Sequence, residues 1–490
     1  MGSLRAPPET SVDVTPVTER ASADRADEPQ TSLWSTVREA LHGSRRNYTE
    51  GPVGQAILLL AIPMVLEVVL ESVFAVADVF WVAKLGESAI ATVGLTESMM
   101  AVVYTLAVGL SIGGTATVAR RIGERDPDSA ARAAVQTIIL GAIVALVISV
   151  VGVAFAPSLL RMLGASEDVV RSGSGFTRVM LGGNASVVML FLINAIFRGA
   201  GDAAIAMRVL WLSNAINIVL GPLLIFGIGP FPQMGVTGAA VATTIGRGTG
   251  AVFALYRLVQ PGRHIQVRRE HARADGPLML RLIRLSGSGT FQVFISTASW
   301  IGLVRILSQF GSAAIAGYTI AIRIILFALF PSWGLGNAAA TMVGQALGAG
   351  KPERAEAAVW MAGLYNLCFL GTVGILFVWL SAPIVRLFTA DPAVLPIATS
   401  GLLIVALGFP LYAYGMVVTQ SFNGAGDTWT PTWLNVIVFW LFELPVAYWL
   451  AHHAGMGPAG VFWAITLAFS LLAILSAVLF KRGWWKRKVV

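Results

Sequence analysis

Long apolar segments follow one another along most of this chain, from residue 54 to residue 481. About 20 apolar residues in a helix are long enough to cross the roughly 30 Å hydrocarbon core of a bilayer. Charged residues make up only 12% of the chain, which is about half of their share in a soluble protein. The sequence therefore predicts an all-α integral membrane protein.

The apolar segments divide into twelve predicted membrane spans. The first six cover residues 55–83, 90–117, 132–156, 172–197, 205–228 and 236–258, and the second six cover residues 283–308, 314–344, 357–382, 394–420, 429–451 and 458–480. The predicted organisation is a tail at 1–50, an N-lobe at 51–258, an inter-lobe loop at 259–278, a C-lobe at 279–481 and a C-terminal tail at 482–490.

Basic residues predict how the chain is oriented. They follow the even-numbered spans and occur in both tails, whereas the loops after odd-numbered spans hold few. Because cytoplasmic loops are rich in lysine and arginine, both termini are expected in the cytoplasm of a multi-pass protein of the cell membrane. We expect residues 1–33 to be disordered, residues 34–50 to include a short interfacial helix, and Trp484 and Trp485 to anchor the far end at the interface. No cleaved signal peptide is predicted.

Several functional classes are excluded by composition and motifs. The net charge of +8 arises from tails and loops rather than from a basic face, so no nucleic-acid partner is expected. Cys368 is the single cysteine, which excludes an intrachain disulfide framework and a four-cysteine zinc site. No zinc-hydrolase pattern and no phosphate-binding loop occurs. We therefore expect no enzyme, no metal site and no cofactor beyond a coupling ion.

The two halves of the chain repeat each other at a constant offset of 225 residues. Phe197 and the Gly-Ala-Gly-Asp sequence ending at Asp202 match Phe422 and the same sequence ending at Asp427. Six spans separate equivalent points, so the halves cross the membrane in the same direction. This predicts two six-helix lobes related by a pseudo-two-fold axis along the membrane normal, a layout that suits a central cleft and alternating access.

Three acidic residues lie on one face of the first predicted span. At about 100° per residue, Glu67, Glu71 and Asp78 fall within about 40° of one another. An acidic residue at the centre of a membrane helix costs about 2.5–3.5 kcal/mol on a translocon scale, so such residues usually face the bundle interior or a water-filled cavity. The equivalent positions of the second half are Gln292, Ser296 and Leu303, which places the acidic face in the N-lobe alone.

Several motifs in order resemble the MATE (multidrug and toxic compound extrusion) family over nearly all of residues 50–480. These motifs are Ile62–Pro63, Ala77–Phe80 with Lys84–Gly86, Phe197–Asp202, Asn217–Gly227 and Met234–Thr243. The resemblance implies a two-lobed transporter, expected to be a monomer, that exports amphipathic and often cationic compounds in exchange for H⁺ or Na⁺.

The resemblance also implies roles for particular residues. The family's first-span acid maps onto Asp78 and its helix-bending proline onto Pro63, while its fifth-span asparagine and sixth-span hydroxyl map onto Asn217 and Thr243. Many members carry a second acid where this chain has Gly221. No acidic residue occurs at 284–350 or at 394–426, where other members place acids for Na⁺. These departures favour H⁺ as the coupling ion.

Chemistry gives the same expectation for the acidic face. Ionised carboxylates in a low-dielectric cavity attract a cationic compound, and protonation of the same groups releases it. The cation-coupling candidates are Asp78, Glu71, Glu67, Asn217 and Thr243, although Glu67 could instead pair with an interior arginine. The asparagine and threonine could instead form ordinary interhelical hydrogen bonds.

Two further acids are candidates for a cavity or substrate role. Glu97 lies in the second span. Glu443 lies in the eleventh span and could be a C-lobe cavity acid or a partner for Arg305 or Arg323.

The predicted function is secondary active efflux, and the alternative is a flippase for lipid-linked oligosaccharides in the same superfamily. A flippase would need a cationic cavity for pyrophosphate, and the acidic first span favours a cationic cargo instead.

Overall fold

The structure, a computed structural model, describes residues 33–44, 46–261, 264–488 and 490, and only the backbone of Val79. Within these ranges twelve long helices follow a short surface helix, Leu33–His42. The first six are α1 Val53–Ala83, α2 Glu87–Gly123, α3 Pro127–Met162, α4 Glu167–Ala200, α5 Ala203–Phe226 and α6 Val236–Val259. The second six are α7 Gly276–Leu307, α8 Ser312–Gly348, α9 Pro352–Arg386, α10 Leu395–Gly424, α11 Trp429–His453 and α12 Pro458–Lys481.

The predicted spans correspond to these helices, most of which extend further than the apolar segments do. The helix α7 begins seven residues before the prediction because the side chain of Asp275 accepts a hydrogen bond from the backbone of Leu278 and caps the helix. Eleven of the described helices are long and apolar enough to cross a membrane. The exception is α6, which contains Arg247 and several threonines and packs against α4 and α5.

The tails differ from the predictions where the structure describes them. Residues 1–32 of the predicted disordered tail lie outside the described residues, and the predicted interfacial helix is limited to Leu33–His42. The predicted interfacial anchor is wrong for Trp485 and stays a prediction for Trp484. Trp484 is exposed, whereas Trp485 is buried because its ring stacks on Phe480 at 4.4 Å and its Nε1 donates to the Phe480 carbonyl oxygen (2.8 Å).

The twelve helices form two lobes, α1–α6 and α7–α12, related by a pseudo-two-fold axis along the membrane normal. The sequence repeat is visible in the backbone. Gly201 and Gly426, which end α4 and α10, have φ angles of 90° and 82°. Arg125 has a φ of 59° where its equivalent Gly350 has 68°, so the repeat holds even where the left-handed conformation is unfavourable for the residue present.

The lobes touch mainly through α1, α2, α7 and α8, with smaller contacts from α4, α9 and α10. Gly123 of α2 and its equivalent Gly348 of α8 have no room for a Cβ, because it would meet the carbonyl oxygen of Gln345 or of Arg120 across the interface. Gly94 lies within about 20° of Gly123 around α2, yet no atom lies within 4 Å of the place its Cβ would take. The lobes therefore meet at the end where α2 and α8 finish, which we call the closed end, and they diverge towards the other, open end.

Hydrogen bonds cross between the lobes at the closed end. Arg120 of α2 donates from Nη2 to the carbonyl oxygens of Ala425 (3.4 Å) and Lys488 (2.7 Å). Its equivalent in the repeat, Gln345 of α8, donates from Nε2 to the carbonyl oxygen of Gly199 (3.0 Å). Each lobe thus binds the Gly-Ala-Gly-Asp turn of the other lobe. We call the contacts Arg120–Ala425 and Gln345–Gly199 the crossed latch.

Candidate functional site

The acidic face of α1 lies against the other helices of the N-lobe. Because α1 is one unbroken helix from Val53 to Ala83, Glu67, Glu71 and Asp78 remain on the same side of it. Pro63 lies within this helix and is buried. It has no N–H to donate to the carbonyl oxygen of Leu59, so α1 is weakened one turn before the first acid.

Glu67 forms an ion pair with an arginine of α4. The distance between Arg198 Nη1 and Glu67 Oε1 is 2.6 Å, and both side chains are largely buried. This is the structural alternative that the sequence left open for Glu67. The Arg198 carbonyl oxygen also accepts a hydrogen bond from Thr341 of the C-lobe (3.2 Å), so the pair lies close to the contact between the lobes.

Glu71 is held by two helices. Its Oε1 lies 2.6 Å from Arg247 Nη2 of α6, and its Oε2 accepts a hydrogen bond from Asn214 Nδ2 of α5 (3.1 Å). Arg247 is 3% exposed and its guanidinium group lies over the ring of Phe74 at 5.3 Å. The ion pair and this hydrogen bond therefore join α1, α5 and α6 inside the N-lobe.

Asp78 is the acid of this face that has no fixed partner. The structure gives its half-buried carboxylate no hydrogen bond and no ion pair among the described side chains. Arg247 and Glu97 of α2 lie near enough to interact with it electrostatically, and the side chain of Glu97 is exposed. We call Glu67, Glu71, Asp78, Glu97, Arg198 and Arg247 the N-lobe cluster. With its four carboxylates ionised and its two arginines charged, the cluster has a net charge of −2.

Asn217 and Thr243 contact each other. Asn217 Nδ2 of α5 donates to Thr243 Oγ1 of α6 at 2.8 Å, and both side chains are buried. A bond of this kind is what small polar groups in membrane helices usually form. The coupling role that the family resemblance implies for these two residues stays a prediction.

The arginines of the cluster are functional candidates that the sequence analysis missed. Arg247 and Arg198 neutralise two of the three acids of α1, and Asn214 binds one of them. A signal was present, because an arginine inside a membrane span is costly and usually has a partner. Arg247 lies between two glycines inside the sixth predicted span, so the sequence already indicated that it needs an acidic partner.

Glu443 lies in the C-lobe, away from the N-lobe cluster. It is 1% exposed, and neither carboxylate oxygen has a hydrogen-bond partner. Arg305 and Arg323 are exposed, and neither forms an ion pair with it. The arginine pairing that the sequence left open is therefore not formed, and Glu443 instead lines an internal cavity.

The N-lobe cluster can bind a cation or a proton at a carboxylate held next to a fixed network of charges. Among the described residues no group of three or more histidine, cysteine or acidic side chains is arranged to hold a metal ion. The two ion pairs and the Asn214 hydrogen bond keep α1, α4, α5 and α6 together, while Asp78 stays available to a ligand.

Comparison with known proteins places the chain among membrane transporters. The family model MatE matches residues 63–223 and 290–449. The probable multidrug resistance protein NorM of Thermotoga maritima is 26% identical over 89% of this chain and 94% of its own length. An FAD transporter of Shewanella oneidensis is 24% identical over 82% of this chain and 89% of its own length.

Solved structures agree with this placement. One of them is described as the outward-facing conformation of a multidrug resistance MATE family transporter of the MOP superfamily. It matches 90% of this chain and 98% of its own length, with a TM-score of 0.83 and 26% identity.

Proposed function

Since the chain belongs to the MatE family of membrane transporters, we propose that it is an antiporter that exports amphipathic cationic compounds in exchange for H⁺. The observation that supports this most is the free carboxylate of Asp78 beside two acids that are already paired with arginines. A cluster with a net charge of −2 attracts a cation, and one of its carboxylates is free to exchange that cation for a proton.

Exchange follows if the cargo and the proton compete for Asp78. In the ionised form, the carboxylate and the nearby Glu97 stabilise a bound cation. When Asp78 is protonated, the attraction falls and the cargo is released. Because Glu71 keeps Arg247 paired, the cycle leaves the rest of the cluster in place.

The direction of transport depends on which side of the membrane the closed end faces. The basic residues Arg120, Arg121, Arg125, Lys351 and Arg354 lie at the closed end, as do the described parts of both tails, which supports a cytoplasmic location for that end. The cleft would then open to the outside in this conformation. Alternating access requires the crossed latch to break and the open end to close.

A lipid-linked oligosaccharide flippase is the alternative function. It would need cationic side chains that are free to bind pyrophosphate. The two arginines of the N-lobe cluster are paired with Glu67 and Glu71, which favours the cationic cargo. The FAD transporter among the relatives makes an anionic cargo the competing outcome to test.

Proton-driven uptake into liposomes tests the proposed function. We expect the purified protein to take up ethidium under a proton gradient and to take up none under a sodium gradient alone. Asp78→Asn keeps the size of the side chain and removes its charge, so proton-driven uptake should fall to the level of empty liposomes. The measurement is the initial rate of ethidium accumulation, with a pH-sensitive dye reporting proton efflux.

Glu353→Gln is the matched control, because this exposed acid lies at the closed end of α9, away from the cluster. It should transport like the unaltered protein. Full uptake by Asp78→Asn would overturn the coupling role of Asp78. Uptake driven by sodium alone would replace H⁺ with Na⁺ in the proposal. Proton-driven uptake of FAD, with no uptake of ethidium, would replace the cationic cargo with an anionic one.

A further inference from the structure

Glu443 occupies an irregular part of α11. The segment Val436–Glu443 is a π-helix and ends at this residue, and Pro445, which has no N–H to donate, follows two residues later. A second π-helical segment, Trp449–His453, follows in the same helix, and π-helical interruptions of α-helices are frequent at functional sites. Glu443 therefore lies where the backbone of α11 changes from π-helical to α-helical.

The carboxyl group lines a cavity enclosed by five helices of the C-lobe. Trp300 of α7, Tyr318 of α8, Tyr412 of α10 and Phe469 of α12 lie around it. The other lining residues are all leucine, isoleucine or valine. The cavity measures about 30 Å³, on a scale where one water molecule takes about 10–15 Å³. It is therefore large enough for water and too small for an amphipathic drug.

No described group neutralises a charge at Glu443. The titratable groups that face it are Tyr318 and Tyr412, both buried, and the Tyr412 hydroxyl donates to the carbonyl oxygen of Ile465 (3.3 Å). From α7, the neighbouring Ser299 donates its hydroxyl to the Ser296 carbonyl oxygen (2.8 Å). Of the residues lining the cavity from α12, none is titratable.

Physical chemistry leaves few states for such a carboxyl group. An ionised carboxylate without a partner in an apolar interior is very unfavourable, so it must bind a proton or a cation. Hard metal cations take about six oxygen ligands. The side chains lining this cavity offer only one carboxyl group and two phenol groups, with the Ser299 hydroxyl beside Glu443. A proton is the ligand that fits both the volume and the lining.

We propose that Glu443 is a second proton-binding site, located in the C-lobe and occupied in the conformation seen here. The proposal builds on proton-coupled export but depends on different residues from those of the N-lobe. A proton at Glu443 would stabilise the packing of α7, α8, α10 and α12 around the cavity. Its loss would leave an uncompensated charge there and favour a C-lobe conformation that admits water.

Infrared difference spectroscopy of the purified full-length protein tests this proposal without any transport. We expect a carbonyl-stretch band of a protonated carboxyl group at neutral pH that disappears reversibly at alkaline pH. The band should be lost in Glu443→Gln, which is neutral and of similar size, and shifted in Glu443→Asp. Either variant identifies the band, so one of them suffices if the other fails to fold. Asp78→Asn is the matched control and should leave this band unchanged.

Each outcome decides one question. Absence of the band at neutral pH, or a band that persists at every pH at which the protein is folded, would overturn the proposal, because Glu443 would then be ionised or permanently neutral. If the band titrates as expected while a proton gradient fails to drive ethidium uptake, the C-lobe proton site stands and the proposed antiport fails. If uptake succeeds and the band is absent, the reverse holds.

Discussion

Arg247→Met is expected to lower the free energy of unfolding by about 3–5 kcal/mol, because it leaves the partner carboxylate in the protein interior without its cation. Arg247 is 3% exposed, and its Nη2 lies 2.6 Å from Glu71 Oε1. After the substitution, Glu71 keeps only the amide of Asn214. Unfolding by sodium dodecyl sulfate in mixed micelles, followed by circular dichroism, gives the measurement.

The double variant Arg247→Met/Glu71→Gln is the matched control. It removes both charges together, and replacing a whole buried ion pair by neutral groups is often neutral or stabilising. We therefore expect most of the lost stability to return. If the double variant is as unstable as the single one, the arginine stabilises the N-lobe through its contact with the Phe74 ring and the ion pair contributes little.

Gly123→Leu is expected to shift the protein away from the conformation seen here. A Cβ at this position would overlap the carbonyl oxygen of Gln345, so the larger side chain forces α2 and α8 apart at the closed end. Overpacking of this kind costs about 1–3 kcal/mol, which changes the conformational equilibrium by about 5–150-fold. Distances between spin labels at residues 124 and 349, measured by double electron–electron resonance, should lengthen.

Gly94→Leu provides the comparison on the same helix. Gly94 has almost the same orientation around α2 as Gly123, but its Cβ would meet no atom within 4 Å. We expect its distance distribution to match that of the unaltered protein. Equal distributions for Gly123→Leu and Gly94→Leu would show that the glycine contact does not control closure of this end.

The helices were predictable because bilayer thickness imposes a length on every apolar segment. The helix α6, which Arg247 makes less apolar than the others, was located from the polar loops that delimit it on either side. The two lobes followed from the constant offset between Asp202 and Asp427. The acidic face was predictable in the same way, since α1 is regular and its period places Glu67, Glu71 and Asp78 on one side.

Partners across the fold were not predictable from a single sequence. Glu67 and Arg198 are 131 residues apart, and helical period indicates which face a residue occupies without indicating which helix will pack there. The burial of Trp485 depends on a stacking contact that forms only after the chain turns back on Phe480.

The crossed latch has a consequence for how the two halves can be recombined. Arg120 and Gln345 occupy equivalent positions, yet one is a cation that also reaches the C-terminal segment at Lys488 and the other is a neutral amide. A chain assembled from two copies of the first half would place arginines in both latches, and one assembled from two second halves would place glutamines in both. The two lobes are therefore not interchangeable at this contact, because each turn is bound by a different side chain.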